Sequence, residues 1–237
     1  MRMVVKHYFS IDGVPCTNFG FFVSNTNQFD TPERDVSVVE VPGRNGTLSI
    51  DNGRFKNITR EYDVYVQGDI RTSIRELSAF MSSKRGYRRI EDTFDEQTYM
   101  LARASSGIKV TDSDRKGAAF TISFDCDPRR FYKSGENIIT LEKSGTIFNP
   151  TYFSSKPMIR VYGTGTITIK GVAINVNKAD GYTDIDCERM DCYKSGVNCN
   201  GNVTLTDGKF PELPQGTSDI VLSGITRAEI TPRWFTI

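Results

Sequence analysis

Glu61-Tyr62-Asp63-Val64-Tyr65-Val66-Gln67 alternates polar or charged residues with apolar ones. A strand turns successive side chains to opposite faces, so this pattern reads as a β-strand with one face in a core and the other in water. The same alternation recurs in Phe120-Thr121-Ile122-Ser123-Phe124-Asp125-Cys126. It recurs in Lys6–Ile11, which stops at Asp12-Gly13, and from Asp35 to Val41, which stops at Pro42-Gly43. The second half adds Met158–Tyr162, Thr166–Ile169 and Ala173–Val176. Short strands punctuated by glycine-containing turns point to a mainly β protein built from sandwiches or barrels.

One segment departs from this period. Between Asp69 and Lys84 the apolar residues are Ile70, Ile74, Leu77, Phe80 and Met81, all on one face of a helix. Asp69 fits an N-cap, and Arg85-Gly86 fits a helix stop. The helix is expected to cover one end or face of a sheet. Further on, Asp127-Pro128 follows a strong strand and precedes a polar stretch with Gly135. A proline removes a ladder donor, so the strand is expected to end there and divide the chain into domains 1–128 and 129–237.

Composition removes several kinds of chemistry. The chain carries 30 Lys+Arg against 29 Asp+Glu, so it lacks the basic excess of a nucleic-acid binder. No apolar run approaches the ~20 residues of a membrane helix. Lys6 and His7 interrupt the opening stretch before a secretory signal can form, so synthesis in a cytoplasm is expected and the sequons at Asn45, Asn57 and Asn202 carry no meaning. His7 is the single histidine, which leaves a cysteine nucleophile without a ready base; in a strand it reads as a satisfied side chain. Gly-x-Ser-x-Gly does not occur.

The five cysteines, Cys16, Cys126, Cys187, Cys192 and Cys199, are odd in number, which argues against a disulfide framework. Asp184, Asp186, Cys187, Glu188, Asp191, Cys192 and Cys199 crowd one span, but the second ligand pair of a structural zinc site is missing. Free thiols are the expectation, with no metal, no cofactor and no catalytic residue. Asn175–Gly181 has the wrong offsets for a calcium loop and reads as an Asp-Gly turn. Lys84-Arg85-Gly86-Tyr87-Arg88-Arg89 is followed by Glu91, Asp92, Asp95 and Glu96, which suggests an ion-paired hairpin or a subunit contact. Val41–Leu48 lacks the Gly-Lys-Ser/Thr of a phosphate loop; Asn45-Gly46 reads instead as a hairpin turn, and Asp51-Asn52-Gly53 as a second one.

Glu40-Val41-Pro42-Gly43-Arg44-Asn45-Gly46, followed by Asp51-Asn52-Gly53-Arg54-Phe55-Lys56-Asn57, resembles the N-terminal signature of the distal tail proteins of siphophages that infect Gram-positive bacteria. Phe9–Gly13, Asn18–Phe21 and the single helix before Phe124-Asp125-Cys126-Asp127-Pro128-Arg129 are similar too. So are Pro157–Gly163, Tyr182–Glu188, with Cys187 in place of a small polar residue, Phe210–Gly216 and the closing Ile230-Thr231-Pro232-Arg233-Trp234. Each motif is moderately specific; their order along nearly the whole chain is much more so.

The resemblance implies two domains: an N-terminal β-rich ring-forming domain with one α-helix, and a C-terminal galectin-like β-sandwich. It implies a homo-hexamer at the tail tip that leaves a channel for DNA. The implied partners are the major tail (tube) protein, a tail-associated lysin or fibre-hub protein and, in some phages, a receptor-binding protein. The implied place is the virion, with no membrane contact. An extended hairpin would clasp the neighbouring subunit, which makes Val36, Val38, Val39, Val41 and Arg44 the oligomer-interface candidates. Such a hairpin cannot bury both faces alone, and a neighbour's sheet would cover it; the alternative is packing within its own subunit. Galectin sugar sites use a His and a stacking Trp. Residues 129–237 contain no His, and Trp234 in the last strand reads as core or interface. A carbohydrate-binding module at the cell wall is the competing reading, and a glycoside hydrolase the third.

Overall fold

The stretch at 61–67 belongs to a strand whose Tyr62, Val64 and Val66 are buried and whose Glu61 and Asp63 face outward. The computed structural model describes residues 7–26, 30–104, 112–113 and 117–237, so Lys6 and the rest of the opening stretch lie outside the described residues. The chain divides into two compact units, Met1–Arg130 and Phe131–Thr236.

The first unit contains β1 (Phe9–Ile11), β2 (Val14–Pro15), β3 (Phe21–Thr26), β4 (Arg34–Glu40), β5 (Thr47–Phe55), β6 (Ile58–Gln67), helix α1 (Ile70–Ser82), β7 (Arg88–Asp92), β8 (Thr98–Ala104), β9 (Asp112–Ser113) and β10 (Gly117–Tyr132) up to Arg130. The main sheet runs β2-β1-β7-β8-β10-β6-β3, with β9 against β10, whereas β4 and β5 pair with each other alone. β6 and β10 run antiparallel from Ile58↔Cys126 to Gln67↔Gly117. This register sets Tyr62, Val64 and Val66 beside Phe120, Ile122 and Phe124 on the core face.

Helix α1 covers that face. Leu77 and Met81 are buried, and Ile70, Ile74 and Phe80 pack against the same core, so the apolar stripe is the buried one. Asp69 caps it as expected, accepting from the Thr72 amide at 3.2 Å and the Thr72 hydroxyl at 2.7 Å. The helix ends at Ser82, short of Arg85-Gly86. One carbonyl of its last turn, Phe80 O, collects three donors: the amide and hydroxyl of the C-cap Ser83, at 3.3 and 2.7 Å, and Arg88 Nη1 at 2.8 Å.

β10 does not stop at Pro128 but runs on to Tyr132. The physical reason is that pairing with β6 ends at Cys126, so the missing proline donor leaves no β6 acceptor unmet.

The second unit contains β11 (Ile139–Leu141), β12 (Gly145–Asn149), β13 (Met158–Tyr162), β14 (Gly165–Ile169), β15 (Val172–Val176), β16 (Tyr182–Asp186), β17 (Asp191–Lys194), β18 (Val197–Asn198), β19 (Val203–Leu205), β20 (Gly216–Ser223), β21 (Arg227–Thr231) and β22 (Phe235–Thr236). One antiparallel sheet runs β11-β21-β13-β16-β17-β18 and the other β12-β20-β14-β15-β19. Ile159, Val161, Ile185 and Ile230 of the first meet Ile147, Ile167, Ile174 and Ile220 of the second in one core, which makes the unit a β-sandwich. Trp234 is 6% exposed in that core. Its backbone passes so close to Gly135 that a Cβ there would lie 2.3 Å from the Trp234 nitrogen, which only glycine permits.

Candidate interaction surfaces

Every one of the five interface candidates lies on the β4–β5 hairpin or its tip, and all five are exposed. Register places Val36↔Asp51, Ser37↔Ile50, Val38↔Ser49 and Val39↔Leu48. Val36 and Val38 therefore share one face, while Val39 shares the other with Leu48 and Ile50. Val38 is 60% exposed and Ile50 49%. No residue of either strand belongs to a core cluster. Leu48 and Ile50 extend the candidate set. The alternation Thr47-Leu48-Ser49-Ile50 signals them, once the register shows which valine they stand beside.

The hairpin does not reverse at Asn45-Gly46. Its turn is Val41-Pro42-Gly43-Arg44, closed by the Arg44 amide donating to Val41 O at 3.1 Å, with Gly43 at φ 82°. Proline presets the first central position and glycine supplies the positive φ of the second, so Pro42-Gly43 makes the turn and Asn45-Gly46 only completes the loop. Asp51-Asn52-Gly53 is no turn either. β5 continues through it with a bulge: the register moves from Val36↔Asp51 to Arg34↔Phe55, and Asp51 Oδ1 accepts from the Gly53 amide at 2.8 Å. Near this bulge Arg34–Asp51 at 3.0 Å, Arg54–Asp35 at 2.7 Å and Lys56–Glu33 at 3.4 Å tie the strands together.

On the outer face of β3, β6 and β10, beside the stacked Phe22–Tyr65 pair, lies the opposite kind of surface. Thr121 Oγ1 donates to Asp63 at 2.7 Å, Ser123 Oγ to Glu61 at 3.4 Å, and Ser24 and Thr26 bond the backbone of Asp63 and Glu61. These side chains present carboxylates and hydroxyls. Behind that sheet, Arg60 Nη2 and the Tyr62 hydroxyl both donate to buried Asp92 Oδ2, at 2.8 and 2.7 Å. Burial pushes the Asp92 carboxyl up, but the Tyr62 hydroxyl and the Arg60 guanidinium outweigh it and hold it below the usual carboxylate range. The basic run at 84–89 is ion-paired in part: Lys84 and Arg88 share Asp12, at 3.1 and 3.0 Å, and Arg89 meets Glu91 at 2.5 Å.

The crowded span at 184–199 is used structurally. Asp184 accepts from Arg160 Nε and Nη2 at 2.6 and 2.9 Å. Asp186 accepts from Arg233 Nη1 and Nη2 at 2.7 and 3.1 Å, and burial, which would raise its carboxyl, is outweighed by that guanidinium. Cys187 and Cys192 lie in the sandwich core, and burial pushes the Cys192 thiol up to about 12. All five cysteines are free thiols, and burial raises Cys16 to about 11 and Cys126 to about 12, the reverse of what a thiolate nucleophile needs. His7 bonds Thr93 Oγ1 at 3.1 Å and stacks on Phe94, which is the satisfied role expected of it. Trp234, buried, offers no stacking platform for a sugar.

No protein-family model matches the chain, and no curated protein does. Among solved structures, the fold matches SPP1 Dit (gp 19.1), described as a paradigm of the hub adsorption apparatus in phages infecting Gram-positive bacteria. The TM-score is 0.73 at 15% sequence identity, over 98% of this chain and 99% of that one. The chain thus has the mainly β fold, with one α-helix among the described residues, that the resemblance to the distal tail proteins implies.

Proposed function

We propose that this chain is a structural hub of a phage tail tip, working by assembly rather than turnover. The observation that carries the reading is the β4–β5 hairpin. It exposes Val36, Val38, Val39, Val41, Leu48 and Ile50 on two faces while standing outside both cores. An isolated two-stranded ribbon is at best marginally stable in water, and exposed apolar residues on paired strands mark a surface meant for another chain. The hairpin clasps the adjacent copy, Arg44 at its tip, and six copies close a ring by this head-to-tail contact. Shared fold with a phage hub protein supports this assignment over other uses of an exposed hairpin.

The remaining parts fall into place around the ring. The first unit, up to the strand through Pro128, builds it. The carboxylate and hydroxyl face of β3, β6 and β10 lines the channel, where negative charge keeps passing DNA from sticking through its phosphates. The sandwich that follows is galectin-like and faces outward, toward the tail-associated lysin or fibre-hub protein and receptor-binding proteins. The tube protein docks on the other side. The test is electron microscopy of the purified full chain, alone and with its tail-tube protein. Six-fold rings in either sample are expected; monomers in both would overturn the reading.

A further inference from the structure

The second unit carries a groove of about 460 Å³ where four connections meet, namely those between β12 and β13, β14 and β15, β16 and β17, and β19 and β20. Its volume lies within the ~300–1,000 Å³ typical of binding pockets. Ile169 and Cys187 are buried at its floor, and Val172, Phe210 and Pro214 are half-buried along its walls. Met190 stands on the lip at 66% exposure, held in the left-handed region at φ 54°. A flexible thioether at the mouth of an apolar groove suits a side chain arriving from outside.

The rim has the charge of a recognition surface. Lys156, Lys170 and Lys209 are all exposed there against the single carboxylate of Glu212. Lys156 and Lys209 make no hydrogen bond or ion pair among the described residues, and Lys170 reaches only Thr217 O at 3.5 Å. Elsewhere in the same sandwich Arg160, Lys194, Arg227 and Arg233 each find a carboxylate. Three ammonium groups ring a floor that is mostly apolar, so the complementary occupant carries both carboxylates and an apolar anchor. A phosphate polymer has the charge without the anchor.

We propose that this groove seats an acidic segment of a partner protein, with one aliphatic or aromatic side chain inserted between Ile169, Val172 and Phe210. The proposal deepens the hub reading by naming a docking point on the outward domain, and its test does not depend on ring formation. Fluorescence anisotropy is measured on the full chain with a fluorescein-labelled peptide of repeating Glu-Phe-Asp-Leu sequence. Light scattering on the same sample reports the oligomeric state separately. Micromolar binding is expected. The Lys156→Glu/Lys209→Glu double variant should weaken it about tenfold or more, as should a rise to high salt, while Lys143→Glu outside the groove leaves it unchanged. All these lysines are exposed, so their fold is retained. Equal binding by the double variant overturns the proposal. So does preference for poly(glycerol phosphate) or for a fatty acid over the peptide, or no binding at millimolar concentration.

Discussion

Val38→Asp separates the two places the hairpin could bury its apolar faces. Val38 is 60% exposed and stands opposite Ser49, so in the isolated chain the new carboxylate meets water and a hydroxyl. The cost to folding is therefore under ~0.5 kcal/mol, as for surface substitutions generally. In a ring the same position lies against a neighbour. Covering the exposed 60% of a valine is worth about 1 kcal/mol of the ~1.5–3 kcal/mol for a fully buried aliphatic side chain. Placing an unpaired carboxylate there instead costs about 3 kcal/mol more. The sum, about 4 kcal/mol per contact, corresponds to about a thousandfold weaker association. Size-exclusion chromatography with light scattering, run beside a thermal melt, reads both quantities. Loss of the ring mass is expected, with an unchanged melting temperature when both chains are diluted to monomers before the melt. A retained hexamer would refute the clasp, and a fall of many degrees between the two monomer melts would show that Val38 packs within its own subunit.

Three further outcomes follow from the ion pairs and the polar sheet face. Asp186→Ala strips both acceptors from the Arg233 guanidinium in a site where the carboxylate is 4% exposed, so a loss of about 3–5 kcal/mol is expected. Denaturant unfolding followed by Trp234, the only tryptophan, measures it in the same core, and a change below about 1 kcal/mol would sink the assignment. Asp92 and Asp186 both sit below their ordinary range when folded, so they bind protons less readily than the unfolded chain does. The stability they add is present above an ordinary aspartate pKa of about 3.9 and is lost as the pH falls through the lower folded values. Melting temperatures from pH 7 to 3 should hold until that range and then drop, and Asp92→Asn should start lower and flatten the drop; an unchanged acid profile would contradict it. In assembled tails, Glu61→Lys with Asp63→Lys should slow DNA ejection most at low salt, and an ejection rate equal to that of the unmodified tail would remove this face from the channel.

The sequence alone determined the local features. Alternation at 61–67 and 120–126 assigned each side chain its face, because a strand's period of two is a property of the backbone. Helix α1 was legible down to its Asp69 cap, since the cap and the stripe from Ile70 to Met81 lie within a few turns of each other. The hairpin was legible as two apolar-bearing strands from Val36 to Ile50, but whether it packs on its own subunit was not. Tertiary structure decided what depends on distant pairing. Pro128 stays inside a strand because β6 no longer needs its donor, and Gly53 makes a bulge because β4 pairs past it. The acidic span at 184–191 became structural only when Arg160 and Arg233, from β13 and the approach to β22, reached Asp184 and Asp186. The lysine-rimmed groove is assembled from four connections spread over residues 154–214. Periodicity carries no information about such meetings, because side chains far apart in sequence are brought together by sheet register and layer packing, and those are set by the whole core.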